Sequence, residues 1–248
     1  MTLLAENAGL LEHGINARNS METLRDRLGD LMQMQRELAS AVRMEDTFRK
    51  PPQLIAGIDI AFLGDEAVTA CVVASYPSMT EFEVQFFSSR LDFPYIPTFL
   101  AFREGPAIRE VMGRLSAQVD VFLLNAQGIA HPRRCGCASQ VGVETGKPTI
   151  GVTQNRLCGK SDREPLVEGD AVALTADGEQ VGWILMSHVA SKPIYVSPGH
   201  LVSLSSSLDL AKGCLRGHRL PEPLQMAHAL ANRKRTRLRS ERSGPVFR

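Results

Sequence analysis

The stretch Leu54-Ile55-Ala56-Gly57-Ile58-Asp59-Ile60-Ala61-Phe62 decides the fold, because it is apolar almost throughout and carries one carboxylate in its middle. A run of this kind predicts a central strand that is buried on both faces of a sheet. Two further strands are predicted at 67–76 and 82–91, separated by turns at Gly64-Asp65 and Pro77-Ser78. Connections this short join antiparallel neighbours, so the domain is expected to begin with three antiparallel strands.

The segments after these strands alternate between helix and strand. The predicted helices are 99–118, 137–146, 203–215 and 224–232, and the predicted strands are 119–124, 149–153, 180–188 and 194–197. An earlier helix is predicted from Asn19, where Glu22 can complete a capping box. The order of three antiparallel strands followed by αβαβ resembles the ribonuclease H-like fold. We therefore expect an α/β protein with a mixed sheet and helices on both faces.

Composition indicates a soluble globular protein. The 248 residues are 44% hydrophobic and 22% charged, which suits one generous domain. No apolar run approaches the roughly 20 residues that a membrane span requires. The five cysteines are scattered and odd in number, which favours reduced thiols and a cytoplasmic location.

We expect three regions: a flexible extension at 1–18, a single domain at 19–232 and a basic flexible tail at 233–248. The tail carries seven basic side chains and one acidic side chain. Such an end is usually just solvated, but it can also add sequence-independent affinity for phosphate backbones.

Two acidic residues are candidates for chemistry. Asp59 is costly to bury inside an apolar strand unless it is paired or coordinates a cation. Asp59 could therefore ligate a metal ion or form an ion pair with Arg103 or Arg109. Glu104 is ordinary for a helix, although the Gly105-Pro106 pair beside it implies a constrained backbone.

A strand-end loop and a proline-rich loop are the other candidates. After the apolar strand come Asn125, a glycine turn at Gly128, and His131 followed by two arginines that suit phosphate. The alternative is a surface loop with an amide cap, and a zinc site with nearby cysteines has the wrong spacing. The loop at 94–97 (Pro-Tyr-Ile-Pro) suits a wedge that parts stacked bases, or else a lid over the core.

Several blocks in order, from about Leu31 to Asn232, resemble the endonuclease V family. The blocks are Ala56-Gly57-Ile58-Asp59, Pro94-Tyr95-Ile96-Pro97, Phe102-Arg103-Glu104, Gly128-Ile129-Ala130-His131-Pro132-Arg133-Arg134, Pro148-Thr149-Ile150-Gly151-Val152, Leu157-Cys158-Gly159-Lys160, Pro198-Gly199-His200 and Leu220-Pro221-Glu222-Pro223. The resemblance implies a ribonuclease H-like nuclease with a divalent ion, normally Mg²⁺ and alternatively Mn²⁺. It implies nicking at the second phosphodiester 3′ to deoxyinosine in DNA, or to inosine in RNA.

The resemblance also assigns site residues. The catalytic positions are Asp59, Glu104, Asn125 and His131, and the first three of them are the metal ligands. The substrate-binding positions are Pro94, Tyr95, Ile96, Pro97, Gly128, Arg133, Arg134, Gly151, Gln154, Leu157, Cys158 and Gly159. The implied partner is inosine-containing DNA or RNA, bound by a monomer without a membrane.

The chain departs from the family pattern at three positions. Asn125 and Ala126 stand where the family has Asp-Gly, and Gln154 stands where it has lysine. An asparagine carbonyl can ligate a metal but brings no charge, and Gln154 removes a cation suited to phosphate. Two hypotheses follow: a working nuclease, or a homologue that binds inosine-containing nucleic acid without cutting it.

Overall fold

The structure is a computed structural model, and it describes residues 27–243. The strands are β1 (Leu54–Leu63), β2 (Glu66–Ser75), β3 (Thr80–Arg90), β4 (Val121–Leu124), β5 (Thr149–Thr153), β6 (Ala171–Ala176), β7 (Glu179–Leu185) and β8 (Ile194–His200). The helices are α1 (27–40), α2 (Leu100–Gly113), α3 (Cys137–Thr145), α4 (Leu204–Gly213) and α5 (Glu222–Ser243).

The strands form one eight-stranded mixed sheet in the order β3-β2-β1-β4-β5-β8-β7-β6. The first three strands are antiparallel neighbours, whereas β1, β4 and β5 run parallel to one another. The predicted order is therefore confirmed, and so is the central position of the 54–62 stretch. Because β1, β4 and β5 are parallel, their carboxyl ends lie at one edge of the sheet, where ligands bind in α/β folds.

Helices cover both faces of the sheet, as predicted. On one face, Leu210 of α4 and Leu224 of α5 pack on Ile55 and Leu123. On the other face, Ile108 of α2 and Val141 of α3 pack on the alternate residues of β1 and β4. Within residues 27–243, no helix has the length and apolar composition that a membrane crossing requires.

Helix α5 comes close to the sheet because β1 has a glycine where they meet. A Cβ atom on Gly57 would lie 2.1 Å from the backbone carbon of Pro223. The absence of a side chain therefore lets the start of α5 rest directly on β1. From that point the helix follows β1 and β2, and Ala231 packs on Ala61 and Ala70.

Several predicted boundaries are wrong. Helix α2 ends at Gly113 rather than 118, because Glu83 accepts hydrogen bonds from the N–H groups of Ser116 and Ala117 at 3.0 and 2.9 Å. Strand β6 was not predicted. Helix α4 was expected to be capped by Ser205, but its cap is Ser203, whose hydroxyl accepts from the N–H of Ser206.

The largest correction concerns the tail. Residues 233–243 are not a flexible tail but the second half of α5. An ion pair within the helix joins Arg237 to Glu241 at 2.8 Å, and Arg242 pairs with Glu66 at 2.5 Å. Side-chain pairs at i,i+4 stabilise a helix, and the tertiary pair fixes its end. The predicted extension at 1–18 and the helix start at Asn19 lie outside the described residues.

Candidate functional site

A cleft of about 450 Å³ opens at the carboxyl ends of the parallel strands. Its walls come from three loops, at residues 95–98, 125–127 and 153–157. Tyr95 stands at the rim with 69% of its surface exposed. Sites for small ligands occupy roughly 300–1,000 Å³, so the cleft has the size of a ligand-binding site.

Asp59 lies beside the cleft and is bonded on both carboxylate oxygens. The Asn125 side-chain N–H donates to Oδ1 at 2.8 Å, and His228 Nδ1 contacts Oδ2 at 2.7 Å. Asp59 is buried, whereas the His228 side chain is 47% exposed. Neither Arg103 nor Arg109 pairs with Asp59, so that sequence-based alternative is wrong. An amide and an imidazole compensate the burial of this carboxylate instead.

Glu104 approaches from α2 and is also buried. Burial and, to a lesser extent, the neighbouring Asp59 carboxylate raise the pKa of Glu104 to about 8, and Arg103 opposes this shift. The Arg103 guanidinium itself donates to the carbonyl of Phe93 at 2.6 Å rather than to Glu104. At neutral pH the Glu104 carboxyl therefore favours its protonated form, because burial penalises the charged form.

The base of the 94–97 loop is held by a cluster of donors around Thr98. The Thr98 carbonyl accepts from Gln35 Nε2 at 3.0 Å, His131 Nε2 at 2.9 Å and Arg133 Nη2 at 3.0 Å. Thr98 itself has a φ of +69°, a conformation that non-glycine residues rarely adopt. These three donors offset the cost of that conformation and fix the direction in which Tyr95 projects.

His131 is a buried, neutral member of this cluster. It is 2% exposed, and burial lowers its pKa to about 4 although the Thr98 hydrogen bond opposes the shift. Its Nε2–H donates to Thr98, and its Nδ1 accepts from the backbone N–H of Arg133 at 3.2 Å. Both ring nitrogens are thus used within the protein, so the structure places His131 with the base of the 94–97 loop and not with Asp59.

Arg133 also helps to hold the base of the 94–97 loop in place. Its Nε donates to Gln35 Oε1 at 2.6 Å, its Nη2 donates to the Thr98 hydroxyl at 2.7 Å, and its guanidinium stacks 4.7 Å from the Phe99 ring centre. Its donors therefore point into the protein. The prediction that Arg133 binds phosphate finds no support in this arrangement.

Gln154 lies on the opposite wall of the cleft and is held by Arg219. Arg219 donates to the Gln154 side-chain oxygen at 2.7 Å and to its backbone carbonyl at 3.0 Å. The same guanidinium donates to the carbonyls of Lys192 and Pro193. Arg219 is therefore a structural crosslink beside Gln154, and its hydrogen bonds already go to these oxygens.

Two predicted substrate-binding glycines serve close packing. A Cβ on Gly128 would lie 2.0 Å from the Pro198 carbonyl oxygen, and one on Gly151 would lie 2.3 Å from the Gly128 nitrogen. The N–H of Gly128 donates to the Ser197 hydroxyl at 2.9 Å. These residues bring the backbones of β5, β8 and the strand-end loop together behind the cleft.

Most of the other predicted site residues line one of two clefts. The cleft itself is lined by Tyr95, Ile96, Pro97, Asn125, His131, Gln154 and Leu157. A separate cleft of about 600 Å³ is lined by Arg134, Cys158 and Gly159 among others, and there Arg134 pairs with Asp177 at 3.2 Å. Pro94 is exposed on the 94–97 loop beside Tyr95.

Sequence reasoning missed His228, Gln35 and Arg219. No local pattern marks them, because each acts on a partner more than 60 positions away in the chain. The only hint in the sequence is Gly57, because a glycine in β1 permits a helix to approach the strand closely and so to bring a side chain to Asp59.

This fold and site define a class of protein. A mixed sheet of this order, with a carboxylate on β1 and a cleft where β4 and β5 end, is the architecture of the ribonuclease H-like nucleases. Residues 36–229 match the sequence model of the family described as Endonuclease V. The chain belongs to the endonuclease V family.

Solved structures of endonuclease V proteins share this fold. The protein from Streptomyces avermitilis is 30% identical, with 86% of this chain and 94% of that chain aligned at a TM-score of 0.79. Human ENDOV is 28% identical, with 86% and 100% aligned at 0.79. The Ciona intestinalis protein, solved with a 24mer DNA containing an inosine followed by a ribo-adenosine, is 26% identical, with 86% and 99% aligned at 0.75.

Endonuclease V proteins are generally metal-dependent, so the donor groups here can be tested against a hard divalent ion. Within residues 27–243, no three His, Cys, Asp or Glu side chains come together in a way that could hold an ion. Asn125 turns its N–H rather than its carbonyl toward Asp59. Hard cations take oxygen ligands, and Asn125 in this orientation presents no oxygen beside Asp59, so it does not complete a site for Mg²⁺ with the two carboxylates.

Proposed function

We propose that this chain recognises inosine in nucleic acid and that its ability to cut the strand is strongly impaired. The observation that carries the second half is the hydrogen bond from the Asn125 amide to Asp59, at the position where the family has a second carboxylate. The first half is supported by the cleft, its exposed Tyr95 and family membership.

Recognition is supported because the cleft and the loop beside it, which would take up a base, are held in place by hydrogen bonds. The wedge loop at 94–97 projects beside a cleft of nucleotide size, and three donors hold its base. An aromatic side chain can replace the stacking that a flipped base loses. The Ciona intestinalis relative was solved with inosine-containing DNA, which makes inosine the base to test here.

Impairment is supported at two positions. Asn125 removes one negative charge from the acidic group, and Gln154 removes a cation that Arg219 does not replace. Loss of one preorganised group that stabilises transition-state charge typically lowers a rate about 100- to 1,000-fold. Two such losses predict cleavage that is several orders of magnitude slower than in family members with the usual residues.

The second candidate function is an active nuclease that nicks the second phosphodiester 3′ to deoxyinosine or inosine, with Mg²⁺ or Mn²⁺. The presence of Asp59 and Glu104 at adjoining positions, with His228 alongside, favours it. In either case we expect a cytoplasmic monomer. The five free cysteines are consistent with a reducing compartment.

Binding and nicking are measured on the same fluorescein-labelled oligonucleotides, in DNA and RNA, which differ by inosine or adenosine at one position. We expect anisotropy to show tighter binding to the inosine strand, and no nicking at stoichiometric protein with Mg²⁺ or Mn²⁺. Equal affinity for both strands would refute recognition. Nicking at the rate of the Streptomyces avermitilis protein, run in parallel, would refute impairment and support the second candidate.

A matched pair of variants locates the binding. Tyr95→Ala removes the exposed ring at the cleft, whereas Phe82→Ala removes a ring on β3 that is 61% exposed. Stacking of a base on an aromatic ring contributes about 1–3 kcal/mol, so Tyr95→Ala should weaken binding to the inosine strand at least fivefold. Phe82→Ala should leave it unchanged.

A further inference from the structure

The second half of α5 carries six basic side chains and one acidic side chain between residues 233 and 243. The family match ends at 229, so this charged half lies beyond the matched region. Arginine and lysine on one helix surface attract phosphate, but the direction in which each side chain points decides whether they act together.

One line of these side chains continues the face that His228 occupies. Arg235, Arg239 and Arg242 follow His228 by seven, eleven and fourteen positions, which places them on one side of a helix with 3.6 residues per turn. We call Arg235, Arg239 and Arg242 the basic stripe. His228 contacts Asp59, so the stripe begins at the candidate site and runs outward from it.

The helix is fixed to the sheet along this length. Lys234 lies over the Phe86 ring at 4.4 Å, and Arg242 pairs with Glu66 at the start of β2. The other acidic residue of that turn, Asp65, pairs with Arg90 at 2.6 Å. Both carboxylates near the outer end are therefore neutralised, so they would not repel a phosphate that approaches Arg235 or Arg239.

The dimensions suit a nucleic-acid strand. With a rise of about 1.5 Å per residue, Arg239 lies roughly 16 Å along the helix from His228. In duplex DNA one strand presents a phosphate about every 3.4 Å along the axis, so this length spans about five nucleotides. Arg235 lies between the two and makes no ion pair with any residue of the 27–243 region.

We propose that Arg235 and Arg239 bind the phosphate backbone of the nucleic acid beyond the cleft and lengthen the footprint on one side of the lesion. This inference rests on the proposed function, because it needs a strand whose lesion base is in the cleft. It assigns base selection to the cleft and sequence-independent affinity to α5.

The test compares Arg235→Gln/Arg239→Gln with Arg114→Gln/Lys147→Gln. The control variant loses the same charge, but its residues lie at the other end of the domain, after α2 and after α3. Binding to inosine and adenosine oligonucleotides is measured by anisotropy over a range of salt concentrations. Far-UV circular dichroism checks that each variant keeps its helix content.

We expect the stripe variant to lose about tenfold in affinity for both oligonucleotides at low salt, with an unchanged ratio between them. For duplex DNA the slope of log K against log[salt] should become shallower by about 1.8, since each phosphate contact contributes about 0.9. Shortening the strand on one side of the lesion should abolish the difference from wild type. Shortening it on the other side should not.

The proposal is overturned if the stripe variant matches the control variant in affinity and salt slope, or if only the inosine strand is affected. These outcomes are separate from failure of the proposed function. A wild-type protein that binds inosine and adenosine strands equally would refute inosine recognition, while a shallower salt slope in the stripe variant would still support a backbone contact by α5.

Discussion

Arg133 provides the sharpest test of whether the loop after β4 supports the wedge or binds substrate. Arg133→Ala removes the donor to Gln35 and the donors to the Thr98 carbonyl and hydroxyl. Gln35 is fully buried, so its side-chain oxygen would be left without this donor. The stacking on Phe99 at 4.7 Å is lost as well.

The expected cost follows from these contacts. An unsatisfied buried acceptor costs about 1–3 kcal/mol. A cation–π contact contributes about 0.5–1 kcal/mol. The Thr98 carbonyl keeps its donors from Gln35 and His131, so losing one there adds little. We predict that Arg133→Ala lowers the free energy of unfolding by about 2–4 kcal/mol in urea titrations.

Arg114→Ala is the matched control for this measurement. Arg114 also stacks on a phenylalanine, at 4.6 Å from Phe87, and pairs with Glu110 at 3.0 Å, but it is exposed. Its loss should cost below about 1 kcal/mol. If Arg133→Ala keeps wild-type stability while the salt slope of nucleic-acid binding becomes shallower by about 1, Arg133 is a phosphate contact and the structural argument is refuted.

Three further predictions concern stability. Burial lowers the pKa of His131 to about 4, against 6.5 for the free side chain. The contribution of His131 to the free energy of unfolding should therefore be fully present above pH 6.5 and fall by about 3 kcal/mol as the pH drops toward 4. Urea titrations of His131→Gln should not show this pH dependence. Burial opposes the low pKa of Asp46, but hydrogen bonds from Lys50, Ser203 and Ser206 lower it to about 2. Its contribution of about 2 kcal/mol should be present above pH 4 and vanish toward pH 2, where Asp46→Asn and wild type should converge in thermal unfolding. Gly128→Ala should cost about 3 kcal/mol because its Cβ would overlap a carbonyl oxygen, and an unchanged unfolding midpoint would show that the loop can move aside.

The central strands could be predicted from sequence because each has a local pattern of apolar and turn residues. The apolar run of β1 and the turn residues on either side of β2 require no knowledge of the rest of the chain. Strand β6 was not predicted, because three of its six residues are alanine and only Val172 and Leu174 are buried. A short edge strand of this kind is defined by its partner rather than by its own pattern.

Helix α5 shows the opposite failure. A run of arginines after Asn232 is typical of a disordered end, since like charges repel and nothing local buries them. In the structure the partners come from elsewhere: Phe86 and Glu66 on the sheet hold the helix. Tertiary contacts thus override a local pattern that favours disorder.

The candidate site was only partly predictable for the same reason. Asp59, Glu104 and Asn125 were brought together only by the family resemblance, because no local pattern shows that they meet. His228 could not be placed with them, since its position depends on how closely α5 approaches β1. Arg133 looked like a phosphate ligand because the sequence shows its charge but not the buried Gln35 that uses it.

The two amides Asn125 and Gln154 have a consequence for how the site tolerates substitution. Asn125 donates to the carboxylate of Asp59, and Gln154 accepts from the guanidinium of Arg219. Asn125→Asp would place two carboxylates side by side, and Gln154→Lys would set two cations against each other. Neither position can change its charge without affecting the neighbour that is hydrogen-bonded to it, so each amide and its partner behave as a coupled pair.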